Sequence, residues 1–224
     1  MRYIELIRQN YITLLSAMGN TLWLTLLSLI FASIIGLIFG IMNVSRSKIL
    51  NLIGTVYVDA IRGIPLIVLA YFIYFGVPSG IQSMGYTSFR MSALNAGIIS
   101  LALNAGAYMA EIVRAGILSV DKGQMEAARS LGLPYSKAMS KVVLPQAIRT
   151  MIPSFINQFI ITLKDTSILS IIGFPELTKA GNIIVARNFE VMRMWAIIGV
   201  MYLIVIVSLS KFAKYVERRV SRGK

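Results

Sequence analysis

Five long apolar stretches, separated by short polar connections, dominate the pattern of this sequence. A helix needs about 20 largely apolar residues to cross a bilayer, because each residue advances it by about 1.5 Å. The pattern therefore predicts an all-α membrane protein with five transmembrane helices. The predicted spans cover residues 20–43, 50–77, 91–116, 147–172 and 193–213.

The second and fourth predicted spans are interrupted by charged or helix-breaking residues. Ionisable groups inside hydrocarbon are costly and usually face protein or water. We therefore expect these groups to face the interior of the helix bundle. The interruptions are Asp59, Arg62, Gly63 and Pro65 in the second span, and Lys164 and Asp165 in the fourth.

The residues before the first predicted span combine basic side chains with apolar positions at helical spacing. This pattern predicts a short amphipathic segment on the membrane surface. The apolar run that follows, residues 22–42, is longer than the roughly 7–15 apolar residues of a signal peptide, so we expect an uncleaved span. The amphipathic positions are Ile4, Ile7, Tyr11 and Leu14, beside Arg2 and Arg8.

Composition agrees with a membrane protein and excludes several classes of function. Of 224 residues, 57% are hydrophobic and 14% are charged, whereas a soluble domain carries roughly 25% charged residues. We expect one transmembrane domain over residues 1–224. The chain has no cysteine and no histidine, which excludes disulfides, histidine catalysis and metal sites built from those side chains. We expect no enzymatic activity and no cofactor.

The net charge of +13 is explained by membrane topology rather than by a nucleic-acid partner. Cytosolic connections of membrane proteins are enriched in lysine and arginine. With the N-terminus outside and the C-terminus in the cytosol, 14 of these residues lie in cytosolic segments and 6 in outer ones. The sequence predicts this orientation, and an outer connection over residues 174–193 with a short helix from Glu176 to Val185.

The basic connection between the third and fourth spans has the signals of ordered structure. Asp121 is a favourable N-cap and Gly132 a favourable C′ residue, so a short helix is predicted between them. Pro134 fits the first turn of a second helix. The two helices would form a rigid elbow outside the membrane, and Ala127 and Ala128 would give it a small-residue face. The alternative is an ordinary interfacial loop stabilised by lipid head groups.

The same connection resembles a known motif. Glu126-Ala127-Ala128, then Gly132, then Val142-x-Leu144-Pro145 is similar to the EAA loop of permease subunits of binding-protein-dependent ABC importers. In that family the loop is the coupling helix, seated in a cleft of the cytosolic ATPase. The resemblance implies an EAA loop over residues 117–147. It also implies that the coupling residues are Glu126, Ala127, Ala128, Gly132, Leu144 and Pro145.

Further segments resemble the polar amino-acid subfamily of these permeases, whose substrates include histidine, glutamine, glutamate and arginine. The resemblance implies a type I ABC importer-like permease, multi-pass in the bacterial inner membrane. The segments are Tyr57 to Pro65 in the second span, Asn104 to Glu111 in the third, and Asn157-Gln158, Lys164 to Ser167, Ile172-Gly173, Glu176 to Thr178 and Glu217 to Arg219 in the C-terminal half.

The energy source must lie in another protein, because the sequence contains no phosphate-binding Gly-x-x-x-x-Gly-Lys-Ser/Thr loop. The resemblance implies a cytosolic ATPase dimer and an extracytoplasmic solute-binding protein. It also implies a second permease chain, either identical or related, with lipid around the assembly.

Three polar stripes are predicted to line a substrate cavity. Arg62, Asn104 and Gln158 each lie roughly 16–20 Å into a span, near the middle of a hydrocarbon core of about 30 Å. A zwitterionic amino acid needs an anion for its ammonium and a cation for its carboxylate. The candidate substrate-binding residues are Arg62, Asn104, Tyr108, Glu111, Gln158 and Asp165.

The amide at Gln158 bears on specificity, since selection of a cationic amino acid would favour a carboxylate there. We expect glutamine first, with glutamate, arginine, histidine or cystine as alternatives. The structural alternative for the charged residues is that they hold helices together as internal ion pairs. Those pairs would be Asp59 with Arg62, Glu111 with Arg114, and Lys164 with Asp165.

Two other functions compete with this one. A stand-alone ion-coupled secondary transporter would use Glu111 or Asp165 as its proton or sodium site. The lack of an evident internal repeat weighs against many designs of that kind. A non-transporting scaffold with a basic recruiting loop would leave the polar stripes unexplained.

Overall fold

A computed structural model describes residues 2–221, with side chains described as far as Tyr215. The described residues form eight helices and no strand. Five of the helices, α1, α3, α4, α6 and α8, are long and apolar enough to cross a bilayer, which confirms the predicted number of spans. The side chains of Glu217, Arg218 and Arg219 lie outside the described part. The helices are α1 (Arg2–Asn43), α2 (Lys48–Gly63), α3 (Leu66–Ser83), α4 (Ala93–Leu118), α5 (Lys122–Ser130), α6 (Tyr135–Ile172), α7 (Leu177–Asn188) and α8 (Val191–Ser221).

Helix α1 is a single helix of 42 residues, so the prediction of a separate amphipathic segment at the N-terminus is wrong. Residues 2–19 continue directly into the first span. Of the predicted apolar positions, Leu14 is buried in a cluster with Leu6, Met194 and Ile197, whereas Ile4, Ile7 and Tyr11 are exposed. Protein from the other end of the chain thus covers only part of the predicted face, and local periodicity does not reveal that contact.

The core of the bundle is the contact between α1 and α4, which approach closely at small residues. Gly36 lies against Met109 and the backbone of Ala110, and Gly106 of α4 lies against α1 in turn. Small residues let transmembrane helices bring their backbones together, so van der Waals contacts stabilise the pair without a hydrophobic driving force from water. Ala32 is fully buried in this contact.

The predicted second span, residues 50–77, is two helices. Helix α2 ends at Gly63, the backbone is extended at Ile64 and Pro65, and α3 begins at Leu66. Proline lacks the N–H of an ordinary helix residue and restricts the residue before it to extended backbone. The interruption at Gly63 and Pro65 was thus correctly predicted. The span itself begins at Leu66 and runs to Ser83.

The predicted fourth span, residues 147–172, is the longer part of α6. The helix starts at Tyr135, so the second helix predicted in the EAA loop is the beginning of α6 rather than a separate element. A π-helical turn at Met139–Val143 joins the two parts. At the other end the helix tightens to a 3-10 helix at Thr166–Ile172, directly after the predicted interruption at Asp165.

Helix α7 confirms the short helix predicted between the fourth and fifth spans. Its N-cap is Glu176, whose carboxylate accepts hydrogen bonds from the N–H groups of Thr178 and Lys179 at 2.7 and 2.6 Å. The hydroxyl of Tyr202 in α8 donates to the same carboxylate at 2.9 Å. Complete burial raises the pKa of Glu176, and these hydrogen bonds oppose the rise. The cap therefore also attaches α7 to α8.

The α1–α4 contact predicts a strong difference between two glycines of α1. A Cβ at Gly40 would lie 2.9 Å from the carbonyl oxygen of Ala110 and 2.7 Å from Cγ1 of Val113, whereas a Cβ at Gly19 would meet nothing within 4 Å. Overpacking of this kind costs about 1–3 kcal/mol. We expect Gly40→Ala to lower the melting temperature of the detergent-solubilised protein and Gly19→Ala to leave it unchanged or slightly raised. Equal melting temperatures of the two variants would contradict the close contact.

Candidate functional site

A cavity of about 510 Å³ lies where the break between α2 and α3 meets α4 and α6. Three separate parts of the sequence therefore form its walls. Five of the six predicted substrate-binding residues line it, and Glu111 does not. The lining consists of Arg62, Gly63, Ile64, Pro65, Leu66, Asn104, Tyr108, Gln158, Ile161 and Asp165.

Arg62 lies in the last turn of α2, where it faces Tyr108 of α4. Its guanidinium carbon is 5.1 Å from the centre of the tyrosine ring, within the range of a cation–π interaction. It forms no ion pair within the described part of the chain. Asp59, one turn earlier, is exposed and does not pair with it. Within the described part of the chain, Arg62 interacts with a carboxylate only at longer range, through a coulombic attraction to Glu111.

Two neutral amides contribute to the cavity, one from α4 and one from α6. Asn104 and Gln158 are only 8% and 5% exposed, yet both line the cavity. The Nε2 of Gln158 has no hydrogen-bond partner in the described structure. A buried donor left unpaired costs about 1–3 kcal/mol. An acceptor on a bound molecule would satisfy this donor.

The two candidate acids differ in their surroundings. Asp165 is partly buried in the cavity wall, and neighbouring Lys164 is exposed and forms no ion pair with it within the described part of the chain. Glu111 instead accepts two hydrogen bonds from Arg114, at 2.6 and 3.0 Å. Because this bidentate pair occupies both carboxylate oxygens, the structural alternative is favoured for Glu111, and Asp165 is the acid available in the cavity.

The backbone of the helix break is a part of the wall that the sequence analysis did not single out. Gly63, Ile64, Pro65 and Leu66 all line the cavity. Non-helical backbone is tolerated at membrane depth only where protein or a water-filled cavity surrounds it. The signal was present in Pro65, since a broken transmembrane helix commonly marks a binding site in transport proteins.

Tyr57 fixes the position of α2 beside the cavity. Its ring stacks on Phe39 of α1 at a centroid distance of 3.9 Å. Its hydroxyl donates a hydrogen bond of 2.8 Å to the carbonyl oxygen of Leu103, the residue before Asn104. One side chain therefore holds α2 against both helices of the central pair.

The EAA loop contains the predicted short helix, α5. Asp121 caps it by accepting a hydrogen bond of 2.6 Å from the N–H of Gly123. The helix ends at Ser130, and Gly132, two residues later, has a left-handed φ of +85°. The N–H of Leu133 donates back to the carbonyl of Ala128 at 3.2 Å. This is the glycine-terminated geometry that the sequence indicated.

The predicted coupling residues divide into exposed and buried positions. Glu126, Ala127, Gly132 and Pro145 are exposed and Leu144 is half-buried. Ala128 is only 4% exposed, because it packs inward, so the small-residue face predicted for both alanines is presented by Ala127 alone.

Two contacts attach the loop to its neighbours, and neither was found from the sequence. The side-chain amide of Gln146 donates to Gln124 at 3.3 Å, which links α5 to α6. The guanidinium of Arg46, in the turn between α1 and α2, lies 4.4 Å from the ring centre of Tyr135. Both contacts join separate segments of the sequence, so no local pattern predicts them.

A family model described as binding-protein-dependent transport system inner membrane component matches residues 32–222, most of the chain. The chain belongs to this family. It is therefore a permease subunit of a binding-protein-dependent importer and a multi-pass protein of the inner membrane. Its function is transport rather than catalysis. The ATPase and the solute-binding protein of the importer are separate partners.

Individual relatives agree with the family. The glutamine transport system permease protein GlnP of Escherichia coli (strain K12) is 39% identical over 199 residues, which are 89% of this chain and 89% of that protein. The probable glutamine ABC transporter permease protein GlnM of Bacillus subtilis (strain 168) is 32% identical over 220 residues, 98% of this chain and 99% of that protein.

Solved structures share the fold. The crystal structure of an amino acid ABC transporter with histidines has a TM-score of 0.87 and 37% identity, covering 95% of this chain and 96% of that chain. An inward-facing structure of the MetNI methionine ABC transporter has a TM-score of 0.80 at 21% identity, and the match covers 95% of this chain and 98% of that chain. The type I importer fold is thus confirmed. The ion-coupled secondary transporter is not favoured.

The left-handed glycine at the end of α5 leads to a prediction about the order of this permease's loop. In Gly132→Ala the side chain would cost about 1–2 kcal/mol in that conformation, so α5 should open more often. We expect the hydrogen-exchange protection factors of the α5 amides to fall by about 5- to 30-fold, measured on the protein in nanodiscs. Gly80→Ala is the control, since a Cβ there meets nothing within 4 Å and should leave α5 unchanged. Unaltered protection in Gly132→Ala would contradict the role of this glycine.

Proposed function

We propose that this chain forms the translocation path of an ATP-driven importer of polar amino acids, with glutamine as the favoured substrate and the cavity as its binding site. The observation that carries the proposal is the buried, unpaired amide of Gln158 in the cavity wall. Glutamate, arginine, histidine and cystine are the alternative substrates. The names of the two permease relatives, both of which refer to glutamine, support the choice.

The charges of the cavity fit a zwitterion. Arg62 forms no direct ion pair within the described chain and can bind the carboxylate of an amino acid, while Asp165 can bind the ammonium group. Asn104 and Gln158 supply uncharged donors and acceptors for a polar side chain. The volume of about 510 Å³ lies within the usual range of small-molecule sites, about 300–1,000 Å³.

The N-terminus faces the outside and the C-terminus the cytosol in this proposal. The excess of lysine and arginine in the EAA loop and at the C-terminal end supports that orientation. The EAA loop then lies on the cytosolic side, where an ATPase can reach it. Substrate is delivered to the opposite side by the solute-binding protein.

The assembly contains two permease chains, either two copies of this chain or this chain with a related one, on an ATPase dimer. When the ATPases close on ATP, they shift the EAA loop as a rigid body and turn the cavity outward; hydrolysis returns it to the cytosol. The exposure of Glu126, Ala127, Gly132 and Pro145 supports a contact between this surface and the ATPase.

Exchange of one amide for a carboxylate tests the cavity. Gln158→Glu should shift binding from glutamine toward arginine, with a change of about tenfold or more in the ratio of dissociation constants, equivalent to about 1.4 kcal/mol. The measurement is equilibrium binding of radiolabelled amino acids to the complex in nanodiscs without the binding protein, which has a selectivity of its own. Asn157→Asp makes the same chemical change at an exposed neighbour outside the cavity and should bind as the wild type does. An unchanged preference in Gln158→Glu would refute the assignment.

A charge reversal at Glu126 tests the proposed contact between the EAA loop and the ATPase. Glu126→Lys should insert into the membrane normally but lose most ATP-driven uptake in proteoliposomes, because it reverses the charge of an exposed residue at the proposed ATPase contact and adds a like charge among the lysines and arginines of the EAA loop. Glu5→Lys, the same charge reversal at another exposed residue, on α1, should transport normally. Normal uptake by Glu126→Lys would rule out the coupling role of this residue.

A further inference from the structure

The three walls of the cavity differ in how they are connected to the EAA loop. Helix α4, which carries Asn104 and Tyr108, ends at Leu118, only three residues before the cap of α5. Helix α6, which carries Gln158 and Asp165, begins inside the loop. These two walls are therefore joined to the loop through the backbone.

The third wall has no such connection. Helix α2 carries Arg62 and follows α1 in the chain, so the whole of α3 and α4 separates it from the loop. Side-chain contacts do join α2 to α4, through Tyr57 and through Arg62 itself. Neither of these contacts reaches α6 or the loop, so a movement of α6 needs a separate contact if α2 is to follow it.

The contact between Arg46 and Tyr135 has the required position. Tyr135 is the first residue of α6, directly after the turn that ends the EAA helix. Arg46 lies in the short turn that leads into α2, and its guanidinium stacks on the tyrosine ring at 4.4 Å. The guanidinium of an arginine over an aromatic face is a favourable and geometrically specific contact.

The turn that carries Arg46 is firmly attached to α2. The side chain of Asn51 donates to the backbone carbonyl of Asn43 at 2.5 Å, and Gly54 packs directly against the side chain of Asn43. The end of α1, the turn and the first turns of α2 thus form one packed corner. From this corner α2 runs 16 residues, or about 24 Å at the usual rise, to the end that carries Arg62.

We propose that the stack of Arg46 on Tyr135 is a contact through which the EAA loop and α6 move α2, beside the contacts that join α2 to α4, so that Arg62 changes position in step with the other two walls. Arg46 and Tyr135 are positioning residues in this scheme and touch no substrate. The inference rests on the proposed function, in which Arg62 lines the substrate site. It adds a cytosolic route to that site which does not pass through the EAA helix backbone.

A double-mutant cycle in proteoliposomes with the ATPase and the binding protein tests this proposal. The quantity measured is the number of glutamine molecules imported per ATP hydrolysed. Arg46→Ala and Tyr135→Ala should each lower this ratio about two- to fivefold, the range expected for an exposed cation–π contact. The double variant should fall no further than the lower of the two single variants, because both remove the same contact.

Two control variants separate the contact from its surroundings. Tyr135→Phe keeps an aromatic face for the guanidinium and should retain the wild-type ratio. Lys48→Ala removes an exposed cation two residues from Arg46 and should also retain it. Additive losses in the double variant, or a wild-type ratio in both single variants, would overturn the proposal. So would a lowered melting temperature with an unchanged ratio, which is the result expected of a merely structural stack.

A separate binding experiment distinguishes failure of this inference from failure of the proposed function. Equilibrium binding of glutamine to Arg62→Ala reports on the cavity alone. Loss of binding there, with unaltered ratios in the Arg46 and Tyr135 variants, would reject only the stack as the route. Normal binding by Arg62→Ala would reject Arg62 as a substrate contact, and the inference that depends on it.

Discussion

The absence of water inside a bilayer is the constraint on which the whole structure depends. Every backbone N–H and C=O group at that depth must find its partner within the protein, which is why the described spans are helices. The extended backbone at Ile64 and Pro65 is the exception that matters for function. It can exist because α4 and α6 close around it, and the space that this leaves is the cavity.

The features predicted correctly from the sequence were those with a local cause. The length of the apolar runs gave five spans, Gly63 and Pro65 marked the helix break, and Asp121 and Gly132 marked the ends of α5. What could not be predicted depends on distant parts of the chain. Sequence spacing placed Glu111 and Asp165 equally well in the cavity, because periodicity does not fix how a helix is rotated against its neighbours.

The closely packed pair of α1 and α4 is the structure against which the other helices are positioned. The glycine contacts leave little space for α1 to slide along α4. Tyr57 attaches α2 to both of these helices. The cavity is therefore assembled from one tightly packed helix and two that have irregular segments: the break after α2, and the π-helical and 3-10 segments of α6. Irregular stretches of this kind often occur at functional hinges.

The packing of α1 against the last helices has a consequence for biosynthesis. Thr21 of α1 accepts a hydrogen bond of 3.1 Å from the N–H of Leu177, which is 156 residues later in the chain. At about 5–20 residues per second, a ribosome adds that length in about 8 to 30 s. The first helix is therefore made long before the surface that covers Leu6 and Leu14, and the fold closes only when the final helices enter the membrane.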